Sequence, residues 1–151
     1  MRGQLAAERA RPNHAMDAYF YRSHLVYERE LDHLVFKSWL YALHASEIPN
    51  KGDYQLITIG EDSIIVVRGD DGDVRAMHNV CRHRGAQVCE ATTGNKRTFV
   101  CPYHGWVYNL DGSLKAARET HVMPDFEPQD HGLKPVRCVE YMGLVFIQQA
   151  V

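Results

Sequence analysis

The chain has 151 residues, 45% of them hydrophobic, and a net charge of −2, which suits one domain with a real core. A charged fraction of 24% excludes a disordered chain, and 17 basic against 19 acidic side chains give no electrostatic case for nucleic acid or an anionic membrane surface. No apolar run reaches the roughly 18 residues of a membrane helix.

Met1 to Met16 is polar and lacks the apolar core of a secretory signal. Residues 1–20 are expected to be a frayed arm of a soluble cytoplasmic protein. Four cysteines, two of them in a metal-type arrangement, argue against a disulfide framework. A helix is expected next, with Ser23 as N-cap, Glu28 and Glu30 toward its positive end and Lys37 near its C-terminus. Tyr27, Leu31, Leu34 and Val35 fall at i, i+4, i+7 and i+8, an apolar docking stripe.

The pattern then turns to strands. Trp39 to Leu43, Tyr54 to Ile59, Ser63 to Arg68 and Val74 to Asn79 are β-type runs, divided by turns at Gly60-Glu61-Asp62 and Asp70 to Asp73. Gly105 to Tyr108, a turn at Asp111-Gly112, Val136 to Glu140 and Leu144 to Gln148 continue the pattern. Short strands joined by Gly and Asp turns predict a mainly antiparallel β-domain. Arg118 to Leu133, with Pro124 and Pro128, reads as a long surface connection.

Two segments carry the chemistry: Cys81-Arg-His83-Arg-Gly85-Ala and Cys101-Pro-Tyr-His104-Gly-Trp106. Each offers one thiolate and one imidazole, and the 17 residues between His83 and Cys101 allow two loops to meet. A mixed-ligand [2Fe–2S] cluster takes two Cys on one iron and two His on the other. One Cys and one His per loop would grip it as a clamp. Gly85 and Gly105 stand where backbone near a cluster would need a residue without Cβ. A Cys2His2 zinc site accepts the same atoms, although Cys-x-His is tight for zinc. Cys89 and Cys138 read as buried apolar residues, and His78 as structural. His121 and His131 flank Asp125 at a spacing too loose for a second metal site.

The motif resembles C-x-H…C-x-x-H in the form found in the α-subunits of Rieske non-haem iron oxygenases. The resemblance runs from about Tyr21 to Gln148, including Ile48-Pro49…Gly52-Asp53 and Gly143-Leu-Val-Phe-Ile. It implies an antiparallel β-sandwich with two cluster-binding loops plus an N-terminal helix over 21–151. It also implies a [2Fe–2S] cofactor on Cys81, His83, Cys101 and His104. A ferredoxin or flavin reductase would be the electron donor and the intact subunits would form a homotrimer. His83 and His104 would then lie at the exposed end of the cluster, with Gly105-Trp106 and Arg84 as docking-surface candidates.

Respiratory Rieske proteins carry an extra Cys in each loop, where Ala86 and Tyr103 stand here. Trp106 replaces their hydrogen-bonding Ser, while Tyr108 keeps an aromatic hydroxyl. Fewer donors to the sulfurs imply a low potential. The family's mononuclear Fe(II) site belongs to a C-terminal catalytic domain whose Asp-x-x-His motif is absent here. With Met1 as a start, the chain is expected to be the N-terminal part of a larger subunit. Leu133-Lys-Pro-Val-Arg-Cys-Val-Glu looks most like the branch acting on quaternary amines, with the aromatic-ring branch open. A free-standing Rieske ferredoxin and a zinc-stabilised binding module are the competing functions.

Overall fold

A computed structural model of the chain describes residues 2–118 and 125–149. The chain forms two compact units, Met1–Lys37 and Ser38–Val151. The first takes in both the arm and the helix that the sequence pattern divides at residue 20. His121 and Pro124 lie outside the described residues.

In the first unit, helix α1 spans Arg2–Arg9, within the expected N-terminal arm. Helix α2 (Ala18–Arg22) is capped by Asp17, whose carboxylate accepts the Tyr19 amide at 2.9 Å. Ser23 stands at the N-cap of α3 (His24–Glu30), as expected, but makes no side-chain cap bond there. The helix then widens into a π-turn over Leu31–Val35, closed by the Phe36 amide on the Leu31 carbonyl at 2.9 Å. The extra residue in that turn rotates the side chains beyond it, so the expected stripe does not form one buried face. Val26 is the buried apolar residue of α3, whereas Tyr27 and Leu34 are exposed.

The second unit is built on a curled seven-stranded antiparallel sheet, ordered β1-β10-β9-β4-β3-β2-β5. Its strands are β1 (Leu40–His44), β2 (Asp53–Ile59), β3 (Asp62–Arg68), β4 (Val74–His78), β5 (Thr93–Asn95), β9 (Pro135–Tyr141) and β10 (Leu144–Gln148). A three-stranded sheet packs against it, in the order β6 (Phe99–Val100), β7 (Val107–Tyr108), β8 (Leu114–Ala116). The mainly β, antiparallel expectation therefore holds.

The continuous apolar run of β3 has a physical reason, because both faces of this strand are covered. Ile64 and Val66 point into a core with Leu43, Ile48, Ala76, Val136, Val145 and Ile147. Ile65 and Val67 point the other way, into a core with Tyr54, Met77, Phe99, Trp106, Tyr108 and Leu110. This second core joins the two sheets and ends at Cys81 and Cys101. The connection after β8 contributes a 3-10 turn, Pro128–His131, and the buried Leu133.

β5, β6 and β8 are not among the strands expected from the sequence. They have two or three residues each, and Thr93–Asn95 is wholly exposed, so no alternation can mark them. The β9–β10 hairpin closes on Met142-Gly143, both at positive φ (50° and 79°). That is the backbone a two-residue turn of this twist demands, and a Met there departs from the usual Asn or Gly.

Candidate metal centre

Each sheet contributes one loop. The first leaves β4 through Asn79 and Val80 and runs from Cys81 to Ala86; the second connects β6 to β7 from Cys101 to Trp106. The two loops share one hydrogen-bond frame. The Cys81 amide donates to the Ala86 carbonyl and the Cys101 amide to the Trp106 carbonyl, both at 2.8 Å. The Gly85 amide returns to the Cys81 carbonyl and the Gly105 amide to the Cys101 carbonyl, both at 3.0 Å.

Both glycines have positive φ, 74° and 68°, which an L-residue adopts at a cost of roughly 1–2 kcal/mol. A Cβ on Gly85 would meet no protein atom within 4 Å. Backbone conformation by itself therefore accounts for this glycine. The unequal Cys-to-His spacing is also explained, because the frames match while His83 stands two residues after its Cys and His104 three.

The frame pairs the candidate side chains, thiol beside thiol and ring beside ring. Cys81 and Cys101 are 2% exposed, and neither is in a disulfide. Burial, with the neighbouring Cys81 thiol adding to it, pushes the Cys101 thiol up, against the backbone amides of Tyr103 and His104. The His83 and His104 rings lie 4.5 Å apart, centre to centre, at 71°. Burial, His104 and Arg84 lower the His83 pKa, which favours the neutral ring. The Nδ1 atoms of His83 and His104 are buried without a hydrogen-bond partner among the described residues. Such orphaned nitrogens carry a desolvation cost, and a metal ion relieves it at both. Two buried thiols, with two unpartnered imidazole nitrogens, make a donor set that fits a mixed-ligand iron–sulfur cluster.

The surroundings hold these donors in place. Tyr108 Oη accepts the Arg82 amide at 3.0 Å and lies 3.2 Å from Cys81 Sγ. Trp106 stacks on His83 at 4.9 Å and 8°. Phe126 and His131 pack against Trp106 at 5.7 and 5.9 Å. At 4% exposure Trp106 is not a docking surface, contrary to the expectation for Gly105-Trp106; its bulk fixes a ring instead. Arg84 is exposed, as is Tyr103, which leans on His104 at 4.0 Å.

Asn79 is a buried anchor of the first loop that the sequence pattern does not single out. It is fully buried, and its side chain donates to Ser63 Oγ (3.1 Å) and the Cys89 carbonyl (2.7 Å) while accepting the Val88 (3.0 Å) and Cys89 (2.8 Å) amides. It ties the far end of the first loop to β3. A polar residue two before a Cys, at the end of an apolar strand, is the one signal available for it.

The remaining candidates sit apart from the donors. Cys89 is buried and its thiol is pushed up to about 11, chiefly by burial; Cys138 is half-buried, its thiol likewise at about 11. His78 ends β4, and His131 Nδ1 faces the Glu127 carbonyl at 2.9 Å. Among the described residues no three His, Cys, Asp or Glu side chains converge on one ion.

Known proteins share this fold. The Rieske [2Fe-2S] domain family matches residues 38–127, and the chain belongs to that family. Its relatives are oxygenase subunits. The glycine betaine monooxygenase oxygenase subunit of Chromohalobacter salexigens is 41% identical over 138 residues, 91% of this chain and 31% of the relative. The biphenyl 2,3-dioxygenase α-subunit of Rhodococcus jostii is 38% identical over 132 residues, 87% of this chain and 29% of the relative. The chain thus spans about a third of the length of these curated relatives. Among solved structures, naphthalene 1,2-dioxygenase from Rhodococcus sp. superimposes with a TM-score of 0.89 at 34% identity, covering 99% of this chain and 35% of that one. A quaternary ammonium Rieske monooxygenase in complex with L-carnitine gives 0.82 at 36% identity, covering 87% and 38%.

Proposed function

We propose that Cys81 and Cys101 hold one iron, and His83 and His104 the other, of a [2Fe–2S] cluster, and that the chain serves as the electron-transfer domain of an oxygenase α-subunit. The observation that carries this reading is the pair of buried, unpartnered Nδ1 atoms beside two buried thiols. When bound, such a cluster supplies reversible one-electron transfer. The chain's residues hold and tune the ligands. Trp106 fixes the His83 plane, and Tyr108 offers its hydroxyl proton to Cys81 Sγ because its oxygen already accepts the Arg82 amide.

In the larger protein, a ferredoxin or flavin reductase supplies electrons, and a mononuclear Fe(II) in a separate catalytic domain of a homotrimer receives them. The similarity to glycine betaine and carnitine oxygenases favours a quaternary amine as substrate, and a cytoplasmic setting suits these partners. Zinc fits less well. A tetrahedral ion needs all four donors around one point, whereas no three converge among the described residues.

The test is EPR of the dithionite-reduced protein beside iron, sulfide and zinc analysis. A rhombic signal of low average g, with two irons and two sulfides lost in Cys81→Ser, is the expected result. A colourless protein with one zinc would overturn the reading.

A further inference from the structure

Beside the first loop, a cavity of about 290 Å³ opens to solvent between His78, Val80, Arg82 and Lys134. We propose that this groove is the docking site for the acidic surface of a one-electron donor protein, seated through Arg82 and Lys134. The proposal rests on the ligand reading above and adds where the donor sits.

Three observations carry it. First, Arg82 and Lys134 are exposed and enter no ion pair among the described residues. Lys51, Arg68 and Arg75, by contrast, are held by Asp70, Glu140 and Asp71. The carboxylate of the nearby β2–β3 turn, Asp62, accepts from Gln149 Nε2 at 2.8 Å and does not line the groove. Second, the groove has a fixed floor with an apolar centre. The His78 amide donates to the Lys134 carbonyl at 2.9 Å, and Val80 is 42% exposed between the charges. Apolar contact flanked by unpaired charge suits a partner of opposite sign.

Third, the groove is continuous with the ligand set. Arg82 lies between Cys81 and His83, and its amide meets the Tyr108 hydroxyl that faces Cys81 Sγ. A donor seated on Arg82 is thus one residue from a ligand sulfur. Solvated cations in an open groove attract an anionic partner in a salt-dependent, transient way, as repeated single-electron encounters require.

The test uses the 151-residue chain and an acidic plant-type [2Fe–2S] ferredoxin as probe. Binding to the oxidised probe is measured by calorimetry, and reduction by the reduced probe by stopped-flow, across a salt series. The double variant Arg82→Glu/Lys134→Glu should weaken binding and slow reduction by about tenfold or more at low salt, with a flattened salt dependence. Lys134→Glu alone, outside the ligand loop, should move both in the same direction. Lys51→Glu, beside the other end of β3 and roughly 16 Å away at ~3.3 Å per residue, should change neither. Reduction by the methyl viologen radical cation should not slow in any of them.

Unchanged binding in both groove variants would overturn the proposal, even in a fully loaded chain. Because binding is read with the oxidised probe, its salt-sensitive loss in the variants supports the groove even in a chain that lacks iron. The two readings therefore fail separately.

Discussion

Tyr108 shows how much one side chain decides at this site. Its ring lies in the core between the sheets, and burial holds its hydroxyl protonated far into the alkaline range. The oxygen accepts from Arg82, so the proton is free to face Cys81 Sγ. A donor to a ligand sulfur stabilises the more negative, reduced state. Tyr108→Phe should therefore lower the midpoint potential, by about 40 mV for each ~1 kcal/mol of lost differential hydrogen bonding. An EPR-monitored redox titration measures this, and an unchanged potential would leave Tyr108 a packing role alone. Cys89 gives a pH prediction. Its thiol titrates near 11 in the folded chain against 9.0 in the ordinary case. Above that ordinary value the unfolded chain releases a proton that the folded chain keeps, so unfolding gains. Stability should be full below pH about 9 and fall as pH approaches 11. Urea midpoints over this range should decline less in Cys89→Ala, whose visible spectrum should match that of the parent.

At the scale of elements, the two loops repeat one hydrogen-bond frame, yet only the first needs an internal anchor. The second loop is closed by β6 pairing with β7, Val100 opposite Val107. The first leaves β4 without a partner strand to return along, and Asn79 supplies the closure through its four side-chain bonds. Asn79→Ala would leave the buried Val88 and Cys89 amides without their acceptor, at ~1–3 kcal/mol each. A loss of about 3 kcal/mol in urea unfolding is expected, with weaker iron retention on dialysis. Asn79→Asp should recover part of it, since a carboxylate keeps the acceptor and loses the donors. A loss below about 1 kcal/mol in Asn79→Ala would show that the loop is held elsewhere.

For the second unit as a whole, Arg68 holds distant parts of the sheet together. Its guanidinium donates to the Ile48, Gly72 and Ala45 carbonyls and to Glu140, at 2.9 to 3.2 Å. It thereby joins the β1–β2 connection, the β3–β4 turn and β9, through partners that stand 20, 4, 23 and 72 residues from it along the chain. Arg68→Ala should cost about 1–3 kcal/mol, because Glu140 is exposed and the part-buried Ile48 and Ala45 carbonyls lose a charged donor, and Arg68→Lys should recover only a fraction, since a single ammonium cannot fork to four acceptors. Thermal unfolding checks both, and a change under about 1 kcal/mol would show that solvent replaces these bonds.

The sequence by itself determined the β class, the long strands and the candidate ligands. Long strands carry their own alternation or, as in β3, a β-branched apolar run, and two Cys–His pairs followed by glycine are a local pattern readable without contacts. The bounds of β2, β3, β4, β9 and β10 match the sequence expectation to within a residue or two, since hydrophobic period and turn residues are encoded in place. Only the tertiary structure decided what depends on residues far apart in the chain. It buried Trp106 behind His83, paired the two-residue β6, set Asn79 under the first loop and placed Lys134 beside Arg82. No local signal marks such juxtapositions, because each arises from the packing of two sheets. The π-turn at Leu31–Val35 overturned the helical stripe for a related reason, as one extra residue in a turn changes which side chains share a face.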